Sequence, residues 1–198
     1  MTAVPDPRHR AVAELVGTAF LVAAVVGSGI AAQRLSPNDV GLQLLENAIA
    51  TGTALAALIV ALQPISAAFN PVITVLERLS GGLTSRHAIV IISAQISGGM
   101  VGVVAANLMF SEPAVSLSVT ARGGPGLWLG EVIATAGLVL LIIALANGGR
   151  QQLIGWAVGA YITAGDWFTS STSFANPAVT IARMFSDTFA GIQPASVP

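Results

Sequence analysis

Two segments of the chain, AAFNPVITVLERL from Ala67 and SFANPAVTIARMF from Ser173, each place an asparagine directly before a proline, with a threonine (Thr74, Thr180) four residues after the asparagine. An asparagine caps a helix through its side-chain oxygen, and proline suits the next position because its missing N–H would have no partner there. Each step therefore starts a short helix. The chemistry open to such a site is hydrogen bonding to a neutral molecule. The amides of Asn70 and Asn176 donate to its oxygen, and the carbonyls of Ala67 to Phe69 and Ser173 to Ala175 accept from it.

Groups for covalent chemistry are missing. The chain has no cysteine, which removes disulfides, thiolate metal sites and thiol nucleophiles. The hydroxyl run TSSTS from Thr169 has no nearby histidine base, and Asp166 alone does not complete a catalytic set. The GSG at Gly27 lies inside an apolar run and reads as close helix packing, not as a phosphate cradle. His9 and His87 lack a second ligand at useful spacing and read as interfacial polar residues. Neither an enzyme nor a bound cofactor or metal is expected.

Composition sets the solvent. Hydrophobic residues make up 54% of the 198 residues, charged residues 9%, and the mean hydropathy is +0.81, too little polar surface to cover a soluble globule. A net charge of -1 without any lysine offers nucleic acid no basic face. The chain is built for a bilayer. Apolar runs near the length of a membrane helix extend over Ala11 to Ala32, Gly41 to Leu62, Arg86 to Phe110 and Leu127 to Ala146, with a shorter one from Leu153 to about Gly165. The first is too long for a signal h-region and carries Glu14, so it reads as a retained helix. An inside N-terminus puts Arg8, Arg10, Arg78, Arg86 and Arg150 on the cytoplasmic face, against Arg34, Arg122 and Arg183 outside, as the positive-inside rule favours.

The chain also repeats itself. ELVGTAFLV from Glu14 and EVIATAGLV from Glu131 match at Glu, Thr, Ala, Leu and Val, and each Asn-Pro segment follows the second span of its half. An odd number of crossings per half inverts the second repeat, so the half-helices enter from opposite faces and meet N-terminus to N-terminus near the bilayer centre. Their dipoles add there to a positive potential that repels cations. Glu14 and Glu131, costly in lipid unless hydrogen-bonded, each lie at the face from which their own half's loop enters. They are expected to take backbone N–H bonds from it. The alternative reading of both is an interfacial residue at a helix end.

On these residues, together with the Ala94-Gln95 pair, the chain resembles the aquaporin (major intrinsic protein) family from about Val12 to Ile192. The resemblance implies an all-α membrane protein. The fold would be an aquaporin-like inverted-repeat helical bundle with two re-entrant half-helices, in a single domain over 1–198. The first repeat would run over about 11–110, and a second, incomplete repeat over about 127–198. It further implies a homotetramer in contact with membrane lipids, in the bacterial plasma membrane, with one pore per subunit for water or small neutral solutes. The pore constriction would comprise Asn70, Pro71 and Val72 with Asn176, Pro177 and Ala178.

Several positions depart from that pattern. Val72 stands where the first box usually has alanine, and Val179 stands where the family's filter arginine falls. Arg183, one helical turn further on, is the candidate for a displaced filter, with Glu77 as its counterpart in the first half; the alternative is an arginine snorkelling to lipid headgroups. The remaining filter candidates are Ser173 and, on the fifth span, Thr163 or Ala164. Such small groups imply a pore wider and less water-selective than an orthodox water channel. After the second half-helix the sequence runs through DTFAGIQPASVP to Pro198 without a counterpart of the first half's third span. A sixth span is thus expected to be missing, through truncation or because the wall comes from elsewhere. The expected function is a passive channel for water or small neutral solutes, such as glycerol-like polyols and neutral metalloid acids. The alternatives are a truncated, non-conducting remnant and a secondary transporter built on inverted repeats.

Overall fold

The computed structural model describes residues 6–197; of the single domain expected over 1–198, residues 1–5 and 198 lie outside the described residues. Seven α-helices follow one another: α1 (Pro7–Leu35), α2 (Val40–Leu62), α3 (Pro71–Leu79), α4 (Ser85–Met109), α5 (Pro125–Asn147), α6 (Ile154–Phe168) and α7 (Pro177–Arg183). Four of them, α1, α2, α4 and α5, are long and apolar enough to cross a membrane. The fifth apolar run is the shorter α6, of 15 residues, entered through a 3-10 turn at Gln151–Leu153.

The long helices begin where a short polar side chain can satisfy an orphan N–H group. Asp6 accepts from Arg8 N at 2.7 Å, Asp39 from Leu42 N at 2.9 Å and Thr84 from His87 N at 3.2 Å. No such cap starts α5, where Gly124 turns the chain at a φ of 130° and Pro125 follows it.

Small residues decide which helices pair, because lipid offers no hydrophobic drive and close backbone approach must supply the contact. A methyl group at Gly98 or Gly102 of α4 would run into the backbone carbonyls of Leu15 and Ala19 on α1. Likewise Gly159 of α6 packs on the Gly52 carbonyl of α2. These pairings, with α1 against α2, enclose a core that includes Leu21, Val25, Leu55, Phe69, Val103, Leu138 and Val158. The two half-helices α3 and α7 lie against α4. Lipid-side residues such as Val12, Phe20, Leu140, Trp128, Trp156 and Trp167 are exposed.

The segment after α7 is tied to the α4–α5 connection. Ser118 N donates to Met184 O at 2.9 Å and Gln193 N to Thr120 O at 2.8 Å. Asn107 Nδ2 donates to Phe185 O at 3.1 Å, and Ser186 Oγ donates to Asn107 Oδ1 at 2.7 Å. Arg122 completes the seam by donating to Gly191 O and Phe189 O, each at 2.8 Å. Its burial lowers its pKa from the ordinary arginine value.

Candidate functional site

The two half-helices meet through their capping residues. Asn70 and Asn176 both have extended backbones, with φ of -150° and -155°, which turns each side chain back over the first turn of its own helix. Asn70 Oδ1 accepts from Val72 N at 3.0 Å, and Asn176 Oδ1 accepts from Ala178 N at 3.1 Å. The amide nitrogens reach the other way. Asn70 Nδ2 donates to Ala175 O at 2.7 Å, and Asn176 Nδ2 donates to Phe69 O at 2.7 Å. One hydrogen of each amide is therefore occupied by the opposite loop, and each amide keeps a second for another acceptor.

Behind each loop stands a carboxylate. Glu14, fully buried, accepts from Ala68 N at 2.8 Å, Phe69 N at 2.7 Å, Ser66 Oγ at 2.5 Å and Gln95 Nε2 at 2.8 Å. Gln95 Nε2 also donates to Thr74 Oγ1 at 2.9 Å, which locks α3 to α4. Glu131 accepts from Phe174 N at 2.9 Å and Ala175 N at 2.8 Å. The carboxylates hold Phe69 and Ala175, and Thr169 holds Thr172 and Ser173 by accepting from their N–H groups at 3.3 and 3.0 Å, in backbone that is otherwise unfavourable: Phe69, Thr172, Ser173 and Ala175 have φ of 47°, 59°, 46° and 42°, a region that residues with a Cβ enter at a cost. No sequence signal marked these positions, since none is glycine. The Phe69 ring is fully buried and fills the space left by Gly17 on α1.

A cavity of about 320 Å³ passes these loops. Arg10, Ser66 and Glu77 line one end; Asn70, Ile73, Asn176 and Val179 line the middle; Asp166, Arg183, Arg122 and Phe189 line the other end. The half-helices contribute in the same register, Asn70, Ile73 and Glu77 from α3 and Asn176, Val179 and Arg183 from α7, as residues at i, i+3 and i+7 share one face. At the first end Arg10 pairs with both oxygens of Glu77, at 3.0 and 2.8 Å. At the other, Arg183 is buried, donates through Nε to Ala190 O and stacks its guanidinium 3.6 Å from the centre of the Phe174 ring. Headgroup snorkelling is thus not its setting.

Several expected site residues lie elsewhere. Of the residues assigned to the constriction, only the two asparagines line the cavity; Pro71, Val72, Pro177 and Ala178 do not. The rotation of about 100° per helical residue carries them off the lumen side. Ala178 instead packs towards Gly99 of α4, while Val72 and Pro177 border a separate groove of about 290 Å³ beside α5. Ser173, Val179 and Arg183 do line the cavity, but Thr163 and Ala164 do not. Thr163 Oγ1 donates to its own helix at Gly159 O, 3.0 Å away, and to Ala48 O of α2 at 3.3 Å, so it belongs to the α2–α6 packing. The face of α6 that reaches the lumen carries Val158, Ile162 and Asp166. A carboxylate inside an apolar span was the available signal for Asp166. Asn47 also lines the cavity, and its amide bonds Val25 O and Ser28 Oγ, each at 2.8 Å.

An all-helical bundle in which two half-helices meet through reciprocal asparagine bonds is the architecture of the aquaporin class of membrane channels. The model of the family described as Major intrinsic protein matches residues 3–170, and the chain belongs to that family, one of channels and not of enzymes. It is 48% identical over 194 residues to the aquaglyceroporin AqpS of Rhizobium meliloti (strain 1021), covering 98% of this chain and 82% of that protein. It is 34% identical to a probable TIP-type aquaporin of Medicago truncatula, covering 88% of this chain and 74% of that one. Among solved structures it superimposes on the aquaglyceroporin from Plasmodium falciparum with a TM-score of 0.71 at 18% identity, over 89% of this chain and 79% of that one. The protein is a multi-pass integral membrane protein.

Proposed function

We propose that the chain forms a passive path for small neutral solutes, with Asn70 and Asn176 at its centre. One observation carries this reading: a single cavity touches both asparagines and reaches charged residues at both ends, Glu77 and Arg183. Uncharged solutes suit its middle. The half-helix N-termini and the amides offer donors there, the apolar residues Ile73 and Val179 stand beside them, and the two dipoles oppose a cation. Water, glycerol-like polyols and neutral metalloid acids all fit this chemistry, and likeness to a protein named an aquaglyceroporin favours the larger solutes among them. The reading includes a homotetramer with one path per subunit, a cytoplasmic N-terminus and residence in a bacterial plasma membrane.

A specific observation favours a second reading, a non-conducting member of the family. Among the described residues α5 is the least covered of the four long helices, and the groove bordered by Glu131 and Thr180 lies open beside it. Stopped-flow swelling of proteoliposomes in isosmotic gradients of glycerol, urea and other neutral solutes separates the two, run on this chain and on one extended by a sixth span. Solute flux above that of empty vesicles supports the channel; flux equal to empty vesicles in both chains removes it.

A further inference from the structure

The α1–α3 end of the cavity holds one positive and one negative side chain. Of the charged residues that line the cavity among the described residues, Arg10 and Glu77 stand there, while Arg122, Asp166 and Arg183 stand at the opposite end. Glu14 is close by but does not line the cavity; its oxygens are taken by Ser66, Ala68, Phe69 and Gln95. The Arg10 guanidinium donates through Nη2 to both Glu77 oxygens, at 3.0 and 2.8 Å, and through Nε to Ser66 Oγ at 3.4 Å. The pair thus joins α1 to the last turn of α3 and to the start of the loop that leads to Asn70.

Stability does not account for this pair. Its side chains are 14% and 34% exposed, and an ion pair in contact with water adds little to the folded state. Glu77 also lies in the last turn of α3, where the helix dipole is negative and a carboxylate is disfavoured. It is seven residues after Asn70, as Arg183 is after Asn176, and both positions line the lumen. The inverted repeat therefore sets an acid at one end in the register that carries arginine at the other.

What such an acid does follows from the rest of the path. The half-helix N-termini make the centre positive, and two guanidiniums against one carboxyl group line the far end. On balance this turns cations away and invites anions. Without Glu77, Arg10 would extend the positive lining to the near end, and a cleft lined by one sign of charge concentrates ions of the other. We propose that Glu77 is the residue that keeps anions out of the path, and that Arg10 holds it on the lumen side and cancels the attraction a lone carboxylate would have for cations. This inference rests on the channel reading above and assigns charge exclusion to the end away from Arg183.

The test reads chloride and potassium flux in proteoliposomes, each divided by glycerol flux from stopped-flow swelling of the same vesicles, so that leak is counted per conducting chain. Glu77→Gln keeps the shape and an oxygen for Arg10 and removes only the charge; it raises the chloride ratio by about tenfold. Arg10→Gln raises the potassium ratio by less, about threefold, because the positive centre still opposes a cation. The double variant returns the chloride ratio to within about twofold of the unaltered chain, which a merely structural contact, lost from both sides, does not do. The chain has no cysteine, so Glu77→Cys carries a lone thiol and decides the matter if the glutamine variant fails to insert. A negatively charged methanethiosulfonate reagent then lowers the chloride ratio, and a positively charged one raises it. A conducting chain whose chloride ratio is unchanged in Glu77→Gln, stays as high in the double variant or, in Glu77→Cys, ignores the sign of the reagent overturns the role of Glu77 and leaves the channel standing. Absence of glycerol flux in the unaltered chain, with or without a sixth span, overturns both.

Discussion

Asn70 and Asn176 hold each other's loops in place: the amide of the first donates to Ala175 O and the amide of the second to Phe69 O, both at 2.7 Å. Each asparagine thus bonds the residue immediately before the other. The caps of the half-helices and the contact between them are made by the same two side chains, so neither half can shift without breaking a bond in its partner.

Exchanging Asn176 for Asp isolates that contact. The aspartate keeps the oxygen that caps α7 but turns an acceptor towards Phe69 O, leaving two acceptors opposed across the contact. Asn176→Asp is expected to lose about 3 kcal/mol of stability, and Asn70→Asp a similar amount. Denaturant titration in detergent micelles, followed by the fluorescence of Trp128, Trp156 and Trp167, reads the loss. An unchanged midpoint would mean that the crossed bonds do not hold the loops together.

Removal of the anchoring carboxylates should have unequal effects. Glu14 takes bonds from Ser66, Ala68, Phe69 and Gln95, whereas Glu131 takes them from Phe174 and Ala175. Both alanine variants are expected to insert in the membrane and to lose amide protection in their own loop. Glu14→Ala should be the more destabilised by about 2 kcal/mol, because it also leaves the Ser66 hydroxyl and one of the two Gln95 amide hydrogens without an acceptor. Hydrogen exchange over residues 66–70 and 173–176 distinguishes the two. Protection unchanged in both loops removes the anchoring role.

The features legible in the sequence are those whose chemistry is local or repeated. An Asn-Pro step specifies a cap and a first helical residue at once, and a glutamate in an apolar run needs donors nearby, so the half-helices and their anchors could be located from residue type and register. Helix phase was harder. In α6 the apolar pattern runs round the whole helix, which leaves nothing to choose Ile162 and Asp166 over Thr163 and Ala164 as the lumen face; the choice is made by Thr163 settling against Gly52 of α2. The left-handed backbone at Phe69, Ser173 and Ala175 was hidden because it is imposed by the anchors, by the opposite loop and, at Ser173, by Thr169 Oγ1 instead of by glycine. The seam joining the residues after α7 to the α4–α5 connection relies on backbone bonds, which no side-chain pattern advertises.

Packing glycines give a sharper stability contrast than any surface change. A methyl group on Gly98 would meet the Leu15 carbonyl, which is backbone and cannot rotate away, whereas one on Gly126 meets nothing within 4 Å. Gly98→Ala is therefore expected to force α1 and α4 apart at a cost of about 2 kcal/mol or more. Gly126→Ala should be neutral or slightly stabilising through its better helix propensity. The same fluorescence titration compares them, and equal midpoints would show that the α1–α4 crossing is looser than its geometry implies.

The final prediction concerns Val179, which lies in the lumen one turn before Arg183 on α7. Val179 is buried and apolar, and its side chain neither donates nor accepts, so a solute passing it is limited by width alone. An arginine there would add a long charged group to the lumen beside the fixed guanidinium of Arg183. Val179→Arg is expected to cut glycerol flux by about tenfold or more while sparing water. The barrier added is one of size and lost desolvation partners, which one water molecule escapes more readily than a polyol. Arg183→Ala should act differently, raising leakage of monovalent cations through loss of a positive charge near the end of the path, with a smaller change in polyol flux. Proteoliposome swelling gives the first comparison and ion-sensitive dye release the second, each in the chain as it stands and in one extended by a sixth span. Glycerol flux indifferent to arginine at position 179 would place the route away from this face of α7, and the assignment of Val179 to the filter would have to be withdrawn.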